Sequence, residues 1–205
     1  MNTHTFLSLI QNNYDFERAN TIFSEINLKK CWKQWLTAEF VHLLNNVGGP
    51  QLVQTEEQYL GLQDSEGVQQ YLSYQKKVGV DVVKEKRTAS RCDFGFELDN
   101  ARHLFEIRCG TSTPSFNKKE LTKFEEDIDR IDALKKSNPT LSLKALFAFY
   151  GVVSNKDAVL FKDIDNSLRC AYVLDTSLQG SSSISRLSHL KREGEPRLCL
   201  VAYHA

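Results

Sequence analysis

The chain has 205 residues, of which 41% are hydrophobic and 25% are charged. These values are close to those of globular proteins, so the sequence predicts one folded domain and excludes global disorder. The 26 basic and 26 acidic residues balance, which excludes the overall positive field of a strongly basic nucleic-acid-binding protein. Any contact with phosphate must therefore come from local patches.

The N-terminal segment and the cysteines indicate where the protein is located. The N-terminus has no basic segment before a long apolar run, and no stretch is long enough for a membrane span. We therefore expect neither a signal peptide nor a membrane partner. The five cysteines are odd in number and form no C-x-x-C pair, which argues against a disulfide framework and a structural zinc site. This pattern favours a reducing, cytoplasmic location.

The N-terminal part of the chain is predicted to be helical. Apolar residues recur at three- and four-residue intervals in residues 6–13 and 16–26, which is typical of amphipathic helices. A third helix is predicted over residues 28–44, where two tryptophans begin an apolar stripe that should lie against a sheet. Residues 51–76 are rich in Gln and Glu and indicate no clear structure beyond a short helix.

The central part of the chain changes to a period of two, which is typical of β-strands. Strands are predicted over residues 78–83, 91–98 and 103–109. The last two strands should form a hairpin around a two-residue turn at Asp99-Asn100 or Asn100-Ala101.

The remainder of the chain alternates helix and strand. A helix is predicted over residues 117–136 and a buried strand over residues 141–153. Two more strands, at residues 168–174 and 197–203, are predicted on either side of a serine-rich loop at residues 179–183 and a short helix. The predicted fold class is therefore α/β, with a mixed central β-sheet flanked by helices.

Alternation along the hairpin decides where its charges point, because successive side chains of a strand lie on opposite faces. The apolar residues share one face of each strand: Cys92, Phe94, Phe96 and Leu98 in the first, and Phe105, Ile107 and Cys109 in the second. The opposite face carries Asp93 and Glu97 of the first strand and Glu106 and Arg108 of the second. With an even number of turn residues, Asp93 and Glu106 fall on the same face.

Two neighbouring carboxylates at this position predict a metal site. Cross-strand carboxylates about 5 Å apart repel each other unless a cation or a proton joins them, and Mg²⁺ prefers such oxygen ligands. Glu39, on the mainly apolar stripe of the third helix, could supply another carboxylate, because a buried carboxylate is costly unless it is paired. The alternative is that Glu39 lies at the edge of the stripe and reaches solvent.

These residues carry a resemblance to a known family. Glu39 in WLTAE, Asp93 in RCDFGFEL and Glu106-Ile107-Arg108 in LFEIRCG resemble the core of the PD-(D/E)XK nucleases in order, spacing and secondary-structure setting. The predicted helix and strand that follow also match later elements of that core, so the resemblance spans residues 29–153.

The resemblance implies a restriction-endonuclease-like core with an N-terminal helical extension. On this view the chain is a single domain in three parts: a helical cap (1–27), the nuclease-like core (28–153) and an α/β completion (154–205). The implied activity is metal-dependent endonucleolytic hydrolysis of phosphodiester bonds in nucleic acid, DNA rather than RNA, in defence, restriction or repair. A homodimer is a further expectation of the resemblance.

The resemblance also assigns roles to individual residues. Asp93, Glu106 and the backbone carbonyl of Ile107 would ligate Mg²⁺ or Mn²⁺, and Glu39 would assist. The metal would lower the pKa of a bound water and stabilise charge on the scissile phosphate. Arg108 would take the position of the usual lysine.

The arginine at that position departs from the family pattern. Arg108 stays protonated, so it can bind a phosphate group but cannot accept a proton from water. Another group or the substrate phosphate would then act as the base, or a lysine would reach in from elsewhere, for which Lys84 and Lys86 are candidates.

Three basic stretches could contact nucleic acid, at residues 84–91, 118–123 and 186–197. The residues expected to do so are Lys84, Lys86, Arg91, Lys118 and Lys119. Each stretch could equally be a solvated face of the protein.

Other functions remain open on sequence alone. The domain could be a catalytically inactive nuclease-like protein that binds nucleic acid or a protein partner through the same face. It could also be a protein-interaction domain without a nucleic-acid role, which the zero net charge favours. In the simplest alternative, the charged face of the hairpin is an ordinary surface with ion pairs that contribute little to stability.

Overall fold

The structure, a computed structural model, describes residues 1–57, 59, 91–112, 118–137, 139–154, 162, 165, 171–176, 183–190 and 194–204. In this part of the chain a seven-stranded mixed sheet is flanked by helices on both faces. The predicted α/β class with a mixed central sheet is therefore confirmed. None of the described helices is long and apolar enough to span a membrane.

The described residues form the following α-helices: α1 (Thr3–Asn13), α2 (Phe16–Ser24), α3 (Trp32–Asn46) and α4 (Lys118–Ser137). The side chains of Asn2 and Asp15 cap α1 and α2 by accepting hydrogen bonds from backbone N–H groups in the first turn. The predicted third helix begins later than expected, because Ile26–Cys31 forms a 3-10 helix ahead of α3.

The strands of the sheet are β1 (Gln51–Thr55), β2 (Phe94–Leu98), β3 (Ala101–Ser112), β4 (Ser142–Gly151), β5 (Tyr172–Asp175), β6 (Ser183–Arg186) and β7 (Arg197–His204). Their spatial order is β1-β2-β3-β4-β7-β5-β6. Strands β1, β2 and β3 are successive antiparallel neighbours, whereas β4 is parallel to β3. Helix α4 connects β3 to β4, as a parallel pair requires.

Several predicted boundaries differ from the structure. The first hairpin strand starts at Phe94 rather than at residue 91. Strand β1 lies in the segment for which the sequence indicated no strand, and β6 replaces part of the predicted loop and short helix. The predicted strand at residues 78–83 lies outside the described residues, as do most of the other residues between β1 and β2.

Apolar packing fixes the helices on the two faces of the sheet. Helices α1, α2 and α3 cover one face, where Trp32, Leu36, Phe40 and Leu44 of the predicted stripe are buried. Helix α4 covers the other face through its buried residues Phe124, Ile128, Ile131 and Leu134. Each fully buried side chain of this size contributes about 1.5–3 kcal/mol, so the position of both layers relative to the sheet is strongly determined.

Candidate functional site

The hairpin has the two-residue turn that the sequence predicts. Asp99 and Asn100 both have positive φ angles, of 52° and 57°, as the tight turn of a β-hairpin requires. The resulting register pairs Phe94 with Phe105 and Leu98 with Ala101. The next position in this register, beyond the last pair, brings Asp93 next to Glu106.

At Asp93 the chain leaves the ladder, and the side chain replaces the missing backbone partner. The backbone N–H of Asp93 still donates to the Phe105 carbonyl at 2.9 Å. The Asp93 carbonyl, however, accepts from Glu56 on the β1 side. The backbone N–H of Ile107 instead donates to Asp93 Oδ2 at 2.6 Å. Asp93 therefore holds the start of the β2–β3 pairing together.

This departure overturns one prediction about the hairpin. Cys92 was expected to share the face of Phe94, but it packs in the apolar cluster on the α4 face, whereas Phe94 packs on the opposite face. The reason is that the Cys92 backbone N–H donates to Glu57 and follows β1 instead of continuing the β2 ladder. The alternation predicted for β3 is confirmed, since Phe105 and Ile107 pack on the face that carries α1, α2 and α3.

A lysine that the sequence did not indicate contacts Asp93. Lys33 Nζ, from the first turn of α3, lies 2.7 Å from Asp93 Oδ1, and the Lys33 side chain is 44% exposed. Both oxygens of Asp93 thus have a partner, one in the backbone of β3 and one on α3. The 3-10 helix that precedes α3 decides this contact, because it sets where the first turn of α3 meets the end of the sheet.

Glu106 is a buried carboxylate, with 8% of the residue exposed. Tyr59 donates a hydrogen bond to Glu106 Oε1 at 2.5 Å, and Arg130 of α4 lies 3.0 Å from the same oxygen. Burial raises the pKa of the Glu106 carboxyl above its usual value, and the nearby charges of Asp93 and Asp127 add to this rise. Arg130 and the Tyr59 hydrogen bond oppose it. A further cation would stabilise the charged form.

Helix α4 places a third carboxylate beside β3. Asp127 is 4% exposed, and its Oδ2 accepts a hydrogen bond from Arg108 Nε at 2.7 Å. Arg130 lies one turn later on the same helix face and contacts Asp127 Oδ1 at 3.4 Å. Arg108 and Arg130 therefore link the acidic side chains of β3 and α4.

These groups surround a polar cavity of about 350 Å³. Its charged lining residues are three lysines, two arginines and two acids: Lys29, Lys30, Lys33, Arg108, Arg130, Glu106 and Asp127. The backbone of β3 contributes through Ile107 and Cys109. The chain as a whole has no net charge, so this excess of cations is a local feature that suits an anionic ligand.

The structure brings together only part of the predicted site. Asp93, Glu106, Ile107 and Arg108 lie at or beside the cavity. Glu39 does not line it; its carboxylate lies 3.0 Å from Arg18 Nη2, and the Glu39 side chain is 20% exposed. This agrees with the alternative in which Glu39 lies at the edge of the apolar stripe.

The structure describes only some of the residues predicted to contact nucleic acid. Arg91 is exposed and lies 3.5 Å from Glu56, beside the β1 edge of the sheet. Lys118 and Lys119 are the first residues of α4. Lys84 and Lys86 lie outside the residues that the structure describes.

The residues that sequence reasoning missed are Lys33, Tyr59, Asp127 and Arg130. Asp127 and Arg130 stand next to apolar core positions of α4, so a buried charge was a usable signal there. Tyr59 lies in residues 51–76, where the sequence indicates no clear structure. Lys33 is one of several polar residues of α3, and the apolar stripe of this helix does not distinguish it from the others. Nothing local in the sequence marks these two.

Comparison of the chain with family models, with curated proteins and with solved structures gives no match. Within the described part of the chain, no group of three or more His, Cys, Asp and Glu side chains is arranged to hold a metal ion. The function must therefore be argued from the chemistry of the cavity.

Proposed function

We propose that the cavity at the end of β3 is a metal-dependent phosphodiesterase site that acts on nucleic acid. One observation carries the proposal: the Glu106 carboxylate lines a cavity together with the cations Lys33, Arg108 and Arg130, and the Asp93 carboxylate contacts Lys33 beside it. Carboxylates suit a hard divalent ion, and a surrounding ring of cations suits a phosphodiester.

The order of elements supports a restriction-endonuclease-like core as the finer description of the fold. Helix α3 is followed by the antiparallel strands β1, β2 and β3, and then by α4 and a strand parallel to β3. Of these elements, α3, β2, β3, α4 and β4 are those on which the sequence resemblance rests, whereas the strand predicted at 78–83 lies outside the described residues. Asp93 precedes β2 and Glu106 lies within β3, which are the positions that the resemblance assigns to the ligands.

The chemistry of the donor groups fits Mg²⁺ or Mn²⁺. Asp93 and Glu106 would hold the ion, with the Ile107 carbonyl as a further oxygen. The buried Glu106 has a raised pKa, and a bound cation would offset the unfavourable burial of its charge. When bound, the ion would supply an activated water and charge stabilisation at the phosphate.

The cationic side chains at the cavity would bind the phosphate and position the attacking water. Arg108 and Arg130 present guanidinium groups that can bind phosphate oxygens, and Asp127 fixes the orientation of both. Arg108 cannot take a proton from water. Lys33 contacts Asp93, which supports the proposal that its ammonium takes the role of the lysine of the family pattern. Among the lysines that the structure describes, this makes Lys33 the candidate for positioning the attacking water, and Lys84 and Lys86 lie outside the described residues.

The first test is calorimetric titration of Mn²⁺ into the protein with a short duplex present. Wild type should bind, and Asp93→Asn and Glu106→Gln should each weaken binding by at least about 10-fold. Asp129→Asn is the matched control, since Asp129 is an exposed carboxylate on the same helix as Asp127. Binding should then be followed by cleavage assays with Mg²⁺ on single- and double-stranded DNA and RNA. Absence of Mn²⁺ binding by wild type would overturn the proposed activity.

A second candidate, an inactive domain that binds nucleic acid, is favoured by a specific observation. The carboxylates of the site already have protein cations as partners: Lys33 on Asp93, Arg130 on Glu106 and Arg108 on Asp127. A metal ion would have to compete with them. This candidate expects a fluorescent oligonucleotide to bind in EDTA without being cut, and Lys33→Ala to reduce the salt dependence of binding by about one unit of slope.

A further inference from the structure

A second polar cluster lies on the face of the sheet that carries α1, α2 and α3. Ser142 and Lys144 lie on β4 two residues apart, so their side chains share a face. The register pairs His103 of β3 with Ser142, and His204 of β7 with Lys144. Three strands therefore bring a serine, a lysine and two histidines together.

Lys144 is fully buried, at 0% exposure. Its Nζ lies 2.7 Å from Ser142 Oγ and 3.2 Å from His103 Nδ1, and 5.2 Å from the centroid of the Phe105 ring. Among the residues that the structure describes, no carboxylate lies within ion-pair distance of Lys144 Nζ. Burying an ammonium without a counter-ion is costly, so the lysine is driven toward its neutral form.

In the ranges that the structure describes, the titratable groups that face this lysine are all bases, so none of them supplies a negative charge. They are Lys135 from the end of α4, the N-terminal amine ahead of α1, and the two histidines. Burial, with a smaller contribution from Lys135, lowers the pKa of Lys144 to about 7. Burial and the charge of Lys144 lower the pKa of His103 and of His204 to about 4. At neutral pH the histidines are uncharged, and the lysine titrates.

Ser142 is the member of the cluster that can meet a substrate. It is partly exposed at the start of β4, whereas Lys144 and His103 are buried beneath it. Its hydroxyl lies 2.7 Å from Lys144, 2.8 Å from His103 Nδ1 and 3.4 Å from His204 Nε2. Neutral Lys144 can accept the hydroxyl proton of Ser142 when His103, in the tautomer protonated at Nδ1, donates to Ser142 Oγ. A partly exposed hydroxyl hydrogen-bonded to a neutral amine is an activated nucleophile.

We propose that Ser142 is a nucleophile, activated by Lys144 as general base, that takes the acyl group of small carboxylic esters. In the first step Ser142 Oγ bonds to the ester carbonyl carbon and its proton passes to Lys144 Nζ. As the bond to the leaving group breaks, Lys144 gives this proton to the leaving alkoxide, or to solvent when the leaving group is a phenolate, and is neutral again. In the second step a water attacks the acyl-serine. Lys144 accepts a proton from that water and returns it to Ser142 Oγ as the bond between Oγ and the acyl carbon breaks, and the carboxylic acid leaves. Ser142 is only partly exposed and its two neighbours are buried, which favours a small acyl group.

The test uses p-nitrophenyl acetate with the full chain and follows release of p-nitrophenolate, with mass spectrometry to locate the acetyl group. Wild type should become acetylated at Ser142, and the rate should rise with pH through about 7 as Lys144 loses its proton. Ser142→Ala should abolish this acetylation. Ser185→Ala is the matched control, because Ser185 is a partly exposed strand serine whose hydroxyl donates to a backbone carbonyl.

A second variant separates the base from the hydrogen bond. Lys144→Arg keeps a cation and N–H donors at this position but cannot accept a proton, so acetylation should fall by about 100-fold or more and lose its rise near neutral pH. Thermal unfolding establishes that each variant is folded. If Lys144→Arg does not fold, the pH profile of wild type and the Ser142→Ala variant decide the question. Equal acetylation of wild type and Ser142→Ala, or a wild-type rate without a rise near pH 7, would overturn the proposal.

Discussion

Asp93 has a structural role that can be measured apart from any metal. Asp93→Ala should lower the free energy of unfolding by about 1–3 kcal/mol more than Asp93→Asn does, because alanine leaves a buried backbone donor without a partner. That donor is the N–H of Ile107, which is 3% exposed and donates to Asp93 Oδ2 at 2.6 Å. Asparagine keeps an oxygen in that place.

The contact with Lys33 does not obscure this comparison. Both variants lose the charge that faces Lys33, and the Lys33 side chain is 44% exposed. A solvent-exposed ion pair of this kind contributes about 0–1 kcal/mol, and its loss cancels in the difference between the two variants. The remaining difference reports the hydrogen bond to β3.

Urea denaturation followed by tryptophan fluorescence measures the difference, since Trp32 is buried in the native state. The comparison is valid if wild type and both variants have the same m-value. In thermal unfolding, a chain of this length loses roughly 2–4 °C per kcal/mol, so the two variants should differ by roughly 2–12 °C. Equal stability of Asp93→Ala and Asp93→Asn would show that the hydrogen bond from Ile107 to Asp93 does not hold β3 at the start of the β2–β3 pairing.

Three further predictions follow from other parts of the fold. Asp175→Ala should cost about 3–5 kcal/mol in urea denaturation, because it removes the carboxylate from a buried ion pair with Arg197 whose side chains are both 3% exposed. A loss below about 1 kcal/mol would contradict this. Gly95→Ala should lower the free energy of unfolding by about 1–3 kcal/mol, since the new methyl group would meet two side-chain atoms within 3 Å and a backbone oxygen at 3.1 Å. Gly48→Ala is the control and should leave the free energy of unfolding nearly unchanged, because no atom lies within 4 Å of its new methyl group. Burial lowers the pKa of His103 from 6.5 to about 4. Between these two pH values the unfolded state binds a proton at His103 and the folded state does not, so the free energy of unfolding falls as the pH drops from 6.5 to about 4. His103→Gln should make this fall smaller when the free energy of unfolding is compared at neutral pH and at about pH 4.

The sequence by itself determined the local parts of the candidate site. A two-residue turn at Asp99-Asn100 sets the register of the hairpin, and alternation along β3 places Glu106 and Arg108 on one face. The apolar stripe of α3 and the apolar face of α4 likewise predicted which sides would pack on the sheet. These features depend on neighbouring residues and on the periods of helix and strand, which are visible in the sequence.

Only the tertiary structure decided which charges meet. The partners of the carboxylates come from distant segments: Lys33 from the start of α3, Tyr59 from beyond β1 and Arg130 from α4. The face on which Cys92 lies depends on its hydrogen bond to Glu57 rather than on its own position in a strand.

The cluster around Ser142 depends in the same way on strand order. His103, Lys144 and His204 lie on β3, β4 and β7, which become neighbours only because β7 pairs with β4 on the side opposite β3. Periodicity along one segment fixes the direction of a side chain, but the group that it meets is fixed by long-range pairing. For that reason the sequence predicted Asp93 and Glu106, whereas the fold supplied their partners and the third carboxylate, Asp127.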